Sequence, residues 1–128
     1  MEFQLSDEQS LLVSTVRRFI DSELRPLEDV VEQTGELSVE DADRISNNAC
    51  ALGFYAMNIP EQLGGGGLST LDWMLVEEQF GHTTDILIRR AFGNVYEILL
   101  AGTPEQQERW LVPSVKGHRI IRRSPRRQ

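Results

Sequence analysis

Residues 59–72 read IPEQLGGGGLSTLD, a proline followed by four consecutive glycines and a signal for the start of a helix. Because glycine loses more backbone entropy on folding than any other residue, such a run is expected where the chain turns tightly or approaches something closely. Ser69 and Asp72 resemble a capping box, so a helix is predicted to begin directly after the loop. That geometry could hold an anion. The Gly-Lys-Ser/Thr ending of a nucleotide-binding P-loop is absent, which argues against an NTPase.

Helical periodicity on both sides of this loop predicts six helices joined by short turns. The predicted starts carry a capping residue or a proline: Ser6, Pro26, Ser38, Ser69, Thr84 and Thr103. The helix from Thr84 is predicted to continue to Leu99 and to lie centrally, because it is apolar over much of its circumference. Residues 54–59 are interpreted as extended and packed. No alternating run is long enough for a sheet, so the prediction is an all-α, six-helix bundle.

Charge is unevenly distributed along the chain. The 128 residues carry a formal net charge of -7, which argues against a general nucleic-acid binder. Residues 1–118 hold 8 basic and 20 acidic side chains, whereas residues 119–128 hold 5 basic ones. We therefore predict a domain over residues 1–118 and a disordered basic tail, foreign to that domain, over residues 119–128. A nucleic-acid contact made by this tail is the weaker alternative.

Several functional classes are not expected from this sequence. Cys50 is the single cysteine, so no intramolecular disulfide is possible, and a reducing cytoplasm is the predicted compartment. No secretory signal is recognised at the start, and no apolar run approaches the roughly 18 residues of a membrane span. His82 and His118 stand alone, without the spacing of a metal site.

Three segments, in order and spacing, resemble the N-terminal domain of the acyl-CoA dehydrogenases. These flavoenzymes introduce a double bond between the α and β carbons of an acyl-CoA thioester. The resemblance covers nearly all of residues 3–118 and is most specific in the glycine loop. Its segments are FQLSDEQ at 3–9 with VRRF at 16–19, LGF at 52–54 through IPEQLGGGGLS at 59–69, and GTPEQQERWLVP at 102–113 with Lys116 and Gly117.

The resemblance implies an α-helical domain that packs beside a β-domain and a second helical bundle. In that family FAD is held mainly by the β-domain, the catalytic glutamate lies in the C-terminal bundle, and the first domain helps to enclose the acyl chain. The implied partners are acyl-CoA and an electron-transfer partner. The family usually continues after Gly117 into a strand near the flavin, which this sequence does not show. A truncated or frameshifted reading frame would explain both this departure and the charge break.

No catalytic, cofactor-binding or metal-binding residue is assigned within these 128 residues. Removing an α-proton needs a positioned base, and accepting the β-hydride needs a bound redox cofactor. We therefore expect neither turnover nor tight FAD binding from this polypeptide alone. The alternative function is a helical interaction module, or pseudo-subunit, that associates with a full-length dehydrogenase or with itself through an exposed former domain interface.

Candidate substrate-binding residues come from position within the resemblance, which places them near the family's acyl pocket. They are Asp85, Ile86, Arg89, Arg90 and Gly93. Two arginines could bind a carboxylate or another polar acyl substituent. The alternative, which we favour, is a surface pair that meets acidic side chains on a neighbouring element or on the absent domains. Cys50, with no basic neighbours in sequence, is interpreted as a buried and unreactive thiol.

Overall fold

The computed structural model describes residues 4–92, 95 and 97–116, and this part of the chain contains helices and turns but no strand. The all-α prediction is confirmed. Five α-helices have seven residues or more: α1 (Asp7–Phe19), α2 (Glu28–Thr34), α3 (Val39–Ala51), α4 (Thr70–Phe80) and α5 (Asp85–Ala91). No helix in the described ranges is both long enough and apolar enough to cross a membrane.

Shorter helical pieces complete the chain, and they explain why the predicted count of six was not accurate. α1 continues into a π-helix (Ile20–Leu24) and a 3-10 helix (Arg25–Leu27). Further 3-10 turns lie at Glu61–Leu63 and Glu97–Ala101. The predicted last helix is divided into α6 (Pro104–Gln106), a π-helix (Gln107–Leu111) and α7 (Val112–Val115).

The helix predicted from Thr84 to Leu99 is the main error in the fold. α5 ends at Ala91, and Phe92 adopts an extended conformation with φ -143° and ψ 145°. Glycine and asparagine follow in the sequence, and both are poorer helix formers than alanine or leucine. Ile98, expected on the inside of a central helix, is 79% exposed. The apolar periodicity therefore continues across positions of low helix propensity, and for this reason it predicted a helix longer than α5.

Four of the six predicted helix starts carry the expected capping bonds, because capping atoms are local, whereas Thr84 precedes α5 without a side-chain capping bond. Ser6 and Thr103 form reciprocal capping boxes with the glutamines three residues later. Ser38 and Ser69 each accept a hydrogen bond from the third backbone N–H of the helix that follows. Each such cap satisfies an amide that the first turn of a helix leaves without a partner.

The main core is organised around five aromatic residues from four separate segments. The Phe54 ring meets Phe19 edge to face at 5.2 Å and Phe80 at 6.3 Å, measured between ring centroids. Phe92 stacks with Phe80 at 4.6 Å and with Trp73 at 4.3 Å. Because these contacts join α1, the chain after α3, α4 and the end of α5, the core forms only when all of them are in place.

The segment before the glycine loop is buried, as predicted, but it forms turns and is not extended. Its buried side chains are Phe54, Tyr55, Ala56, Met57 and Ile59. Phe54 and Met57 belong to the main core, whereas the others join Val95 and Leu111 in a second cluster under the C-terminal helical segment. Turns send neighbouring side chains into different clusters, so one short segment serves both. The predicted basic tail, residues 119–128, lies outside the described residues.

Candidate functional site

The glycine loop folds back on the residues that precede it, and its backbone amides donate hydrogen bonds to their carbonyls. Gly64 donates to the Glu61 carbonyl at 2.9 Å, and the amides of Gly65, Gly66, Gly67 and Leu68 donate to carbonyls of residues 56–60 at 2.9–3.1 Å. A phosphate-binding loop needs such amides free to point at the ligand. The anion site considered from the sequence is therefore not formed by the amides of this loop.

Close backbone approach explains the glycines in the middle of the run. A Cβ built on Gly65 would overlap the carbonyl group of Ile59, and one on Gly66 would lie 2.9 Å from the Met57 Cα. Both obstacles are backbone or Cβ atoms, which a rotamer change cannot move. The first and last glycines of the run have φ of +88° and +63°, which disfavour any residue with a side chain. The run is thus required by steric fit.

A shallow hollow of about 330 Å³ adjoins this loop, and its lining consists of Asn58, Pro60, Glu61, Gln62, Gly67 and Leu68. Asn58 Nδ2 donates to the Val95 carbonyl at 3.1 Å, which ties the loop to the chain after α5. The Oδ1 atom of Asn58 is buried and accepts no hydrogen bond in the structure. Asn58 was not selected from the sequence, although a polar residue within the apolar run FYAMNI was a usable signal.

Four of the five predicted substrate-binding residues, Asp85, Ile86, Arg89 and Arg90, lie on α5, and none of these four lines that hollow. Arg89 Nε pairs with Asp85 Oδ2 at 2.7 Å, with side chains 76% and 70% exposed. Ile86 is half-buried and packs against the main core. The Arg90 carbonyl accepts a hydrogen bond of 2.9 Å from Ser46 Oγ of α3. Gly93 lies outside the described residues. Arg89 is thus exposed on the surface, but its acidic partner lies on α5 itself and not on a neighbouring element.

The described part of the chain contains no buried carboxylate that could serve as a catalytic acid or base. Gln79 is the one buried polar side chain recorded there, and every described acidic residue is at least partly exposed. No group of three or more potential metal ligands occurs among the described residues.

Cys50 lies beside a small cavity of about 130 Å³, between Tyr55 and the glycine loop. Its side chain is half-buried, and burial raises the pKa of the Cys50 thiol above its ordinary value. Because the thiolate is the nucleophile, a raised pKa makes the thiol less reactive at neutral pH. The prediction of an unreactive thiol is therefore supported, although the burial is only partial.

Alkylation of Cys50 by iodoacetamide should require a higher pH in the folded protein than in urea. The unfolded chain releases the thiol proton at a lower pH, so the folded state should also lose stability as pH rises above the ordinary thiol pKa. Alkylation rates across an alkaline pH series, with and without urea, measure the difference. Coinciding pH profiles in the two states would contradict it.

A model of the acyl-CoA dehydrogenase N-terminal domain matches residues 6–118. The chain belongs to this family. The match confirms the resemblance drawn from the glycine loop and its flanking segments. The all-helical structure of the described residues is consistent with this match to the acyl-CoA dehydrogenase N-terminal domain.

Three curated relatives illustrate the range of proteins that share this domain. A 3-(aryl)acrylate reductase of Clostridium sporogenes is 25% identical over 91% of this chain and 31% of its own length. The mitochondrial short-chain specific acyl-CoA dehydrogenase of Bos taurus is 29% identical over 91% and 28%. The CarC subunit of the caffeyl-CoA reductase-Etf complex of Acetobacterium woodii is 27% identical over 91% and 31%.

The chain thus spans about three tenths of the length of the curated relatives it matches. No solved structure matches it.

Proposed function

We propose that residues 6–118 act as the N-terminal helical domain of a flavin-dependent acyl-CoA dehydrogenase and form part of the wall of its acyl-CoA pocket. The observation that carries this proposal is the family match over those residues. In this proposal the reaction is α,β-dehydrogenation of an acyl-CoA thioester. The glycine loop gives the wall a fixed shape, since its amides and its close backbone contacts leave it little freedom.

The flavin and the catalytic base are proposed to come from other parts of the intact enzyme. Dehydrogenation needs a base positioned at the α-carbon and an acceptor for the β-hydride. The described residues supply only exposed or half-exposed carboxylates and a loop whose amides are engaged. The 128-residue polypeptide alone is therefore proposed to be inactive and to bind FAD weakly.

On the substrate side, we propose that Ile86 and Gly93 lie near the acyl chain, with Asp85, Arg89 and Arg90 at its polar margin. Guanidinium groups at that margin would select an acyl group with a carboxylate or another polar substituent. The competing role for Arg89 is structural, because its pair with Asp85 spans one turn of α5 and contributes about 0.3–0.5 kcal/mol.

An electron-transfer partner is proposed for the intact enzyme, because one relative is a subunit of a complex named for Etf. Cytoplasmic localisation, expected from the sequence, is likewise a proposal. Some relatives carry the word mitochondrial in their names, so compartments differ within the family.

A second candidate function is a non-catalytic interaction module that associates with a full-length dehydrogenase or with itself. The supporting observation is a set of exposed large apolar side chains: Leu11, Val39, Leu52, Leu71, Met74 and Ile98. Single exposed apolar residues are normal, but this number of them gives an isolated domain several side chains that could be buried in a protein–protein interface. Sedimentation of the purified chain, alone and with a dehydrogenase, tests this candidate. A monomer with no affinity for dehydrogenase subunits would exclude it.

Flavin chemistry distinguishes the domain from a complete enzyme. The purified 128-residue chain, incubated with FAD and butyryl-CoA, is expected to show no bleaching of the flavin absorbance. A chimera in which residues 6–118 replace the matching segment of the bovine short-chain enzyme should retain bound flavin and show bleaching. Bleaching by the chain alone would refute its inactivity, and a flavin-loaded chimera without bleaching would contradict the wall role.

The same chimera tests the α5 residues. Replacing Arg90 with alanine should change the relative rates for acyl-CoA substrates with and without a terminal carboxylate if this side chain lies at the pocket margin. Replacing Arg109, which stacks over the Trp110 ring at 4.9 Å, removes one positive charge elsewhere and serves as the matched control. Equal substrate preferences in both variants would exclude Arg90 from substrate selection.

A further inference from the structure

A second hollow, of about 220 Å³, lies where the π-helix Ile20–Leu24 passes the end of α4. Its lining is positively charged, although residues 1–118 as a whole are strongly acidic. Since a water molecule occupies about 30 Å³ of liquid, the hollow has room for a small polyatomic ion. The lining residues are Arg17, Ile20, Asp21, Arg25, Gln79 and His82.

The guanidinium of Arg17 is held in place by a buried partner. Its Nε atom donates to Gln79 Oε1 at 3.0 Å, and Gln79 is 6% exposed. Arg17 is an exposed residue, and this bond orients its guanidinium, whose two terminal nitrogens have no recorded hydrogen bond or ion pair with a described residue. A guanidinium oriented in this way presents its terminal nitrogens as a pair of donors, which is the geometry that recognises oxyanions.

Arg25 provides a second guanidinium, and His82 an imidazole. Arg25 Nε pairs with Asp21 Oδ1 at 2.6 Å, one helical turn away, so the aspartate neutralises part of the charge and orients this arginine. The two arginines and one aspartate leave a net positive hollow. The C-terminus of α4 carries partial negative charge on its last carbonyl groups. That charge is reduced because the amides of Gly81, His82 and Thr83 donate hydrogen bonds to these carbonyls.

We propose that this hollow binds a small phosphate anion through Arg17, Arg25 and His82, with Gln79 as a positioning residue for Arg17. Three donor groups around one hollow suit a tetrahedral oxyanion, which has more oxygens to satisfy than the two of a carboxylate. The hollow and the glycine loop have no lining residue in common. The inference therefore does not depend on the proposed dehydrogenase role.

Nuclear magnetic resonance of the full 128-residue chain, titrated with inorganic phosphate at constant ionic strength, tests this site. Saturable shifts are expected for the Arg17 Nε–H and the Gln79 side-chain amide. Arg17→Gln and Arg25→Gln should each weaken binding by about tenfold or more, since each removes hydrogen bonds to a charged group. Arg17→Lys keeps the charge but loses the paired donors, so it should also weaken binding.

Arg18→Gln is the matched control, because Arg18 adjoins Arg17, is exposed, and does not line the hollow. It should leave the phosphate affinity unchanged, and acetate should bind more weakly than phosphate. The proposal is overturned by the absence of saturable shifts, by equal weakening in Arg18→Gln and Arg17→Gln, or by acetate binding as tightly as phosphate. If Arg17→Gln fails to fold, the half-exposed Arg25 decides the outcome through its own variant.

Discussion

Replacing Phe54 with alanine is expected to lower the free energy of unfolding by about 3–5 kcal/mol, the usual cost of removing a buried aromatic ring. Phe54 is 2% exposed and meets Phe19 and Phe80 edge to face, so its loss opens a cavity between α1 and α4. The free energy of unfolding of a native domain is about 5–15 kcal/mol, so this variant would lose much of its stability. Urea denaturation followed by circular dichroism measures the change.

Leu52→Ala is the control for this experiment. Leu52 is also apolar and lies two residues earlier, but it is more than half exposed, so the expected change is within about 0.5 kcal/mol. Similar losses in the two variants would show that the aromatic contacts do not hold the core together.

Gly65→Ala is expected to destabilise the protein by about 1–3 kcal/mol or more, as overpacking of a tight site does. The added Cβ would overlap the Ile59 carbonyl group, and the Gly65 amide is bonded to Pro60 only 3.1 Å away, so the loop cannot move outward without breaking that bond. The variant should unfold at a lower temperature, and proteases should cut the loop faster. Thermal denaturation and limited proteolysis provide the two measurements.

Gly35→Ala separates steric overlap from backbone strain. Gly35 has φ +69°, but no atom lies within 4 Å of the position its Cβ would take. Only the left-handed conformation then costs energy, about 1 kcal/mol. If Gly65→Ala proved no more harmful than Gly35→Ala, the close approach to Ile59 would not be what requires glycine there.

Local signals in the sequence predicted the helix starts and the loop well. Ser6, Ser38, Ser69 and Thr103 all cap the helices predicted after them, because a cap involves atoms only three residues apart. The glycine run also indicated a close approach, although only the structure shows that Ile59 and Met57 are what it approaches. The family was accessible for the same reason, since its most specific motif is this local one.

Features that depend on distant partners were not predicted. Trp110 is 38% exposed while its neighbour Leu111 is buried, and the π-helix at Gln107–Leu111 changes the angular spacing that α-helical periodicity assumes. Gln79 was not singled out from the sequence, yet it is buried and accepts a hydrogen bond from Arg17, 62 residues earlier. The five candidate pocket residues were selected by family position, and no ligand contact in this structure tests them.

Helices α1 and α4 are joined by a polar bond near each end. Gln9 Nε2 donates to Asp72 Oδ1 at 2.9 Å, and Arg17 Nε donates to Gln79 Oε1 at 3.0 Å, so the helices run in parallel. Sliding α4 by one residue would displace it about 1.5 Å along its axis and turn it about 100°, which would break both bonds at once. Apolar contacts tolerate such slippage far better than hydrogen bonds do. The two bonds therefore set the rotational phase in which α4 presents Phe80 to the aromatic core.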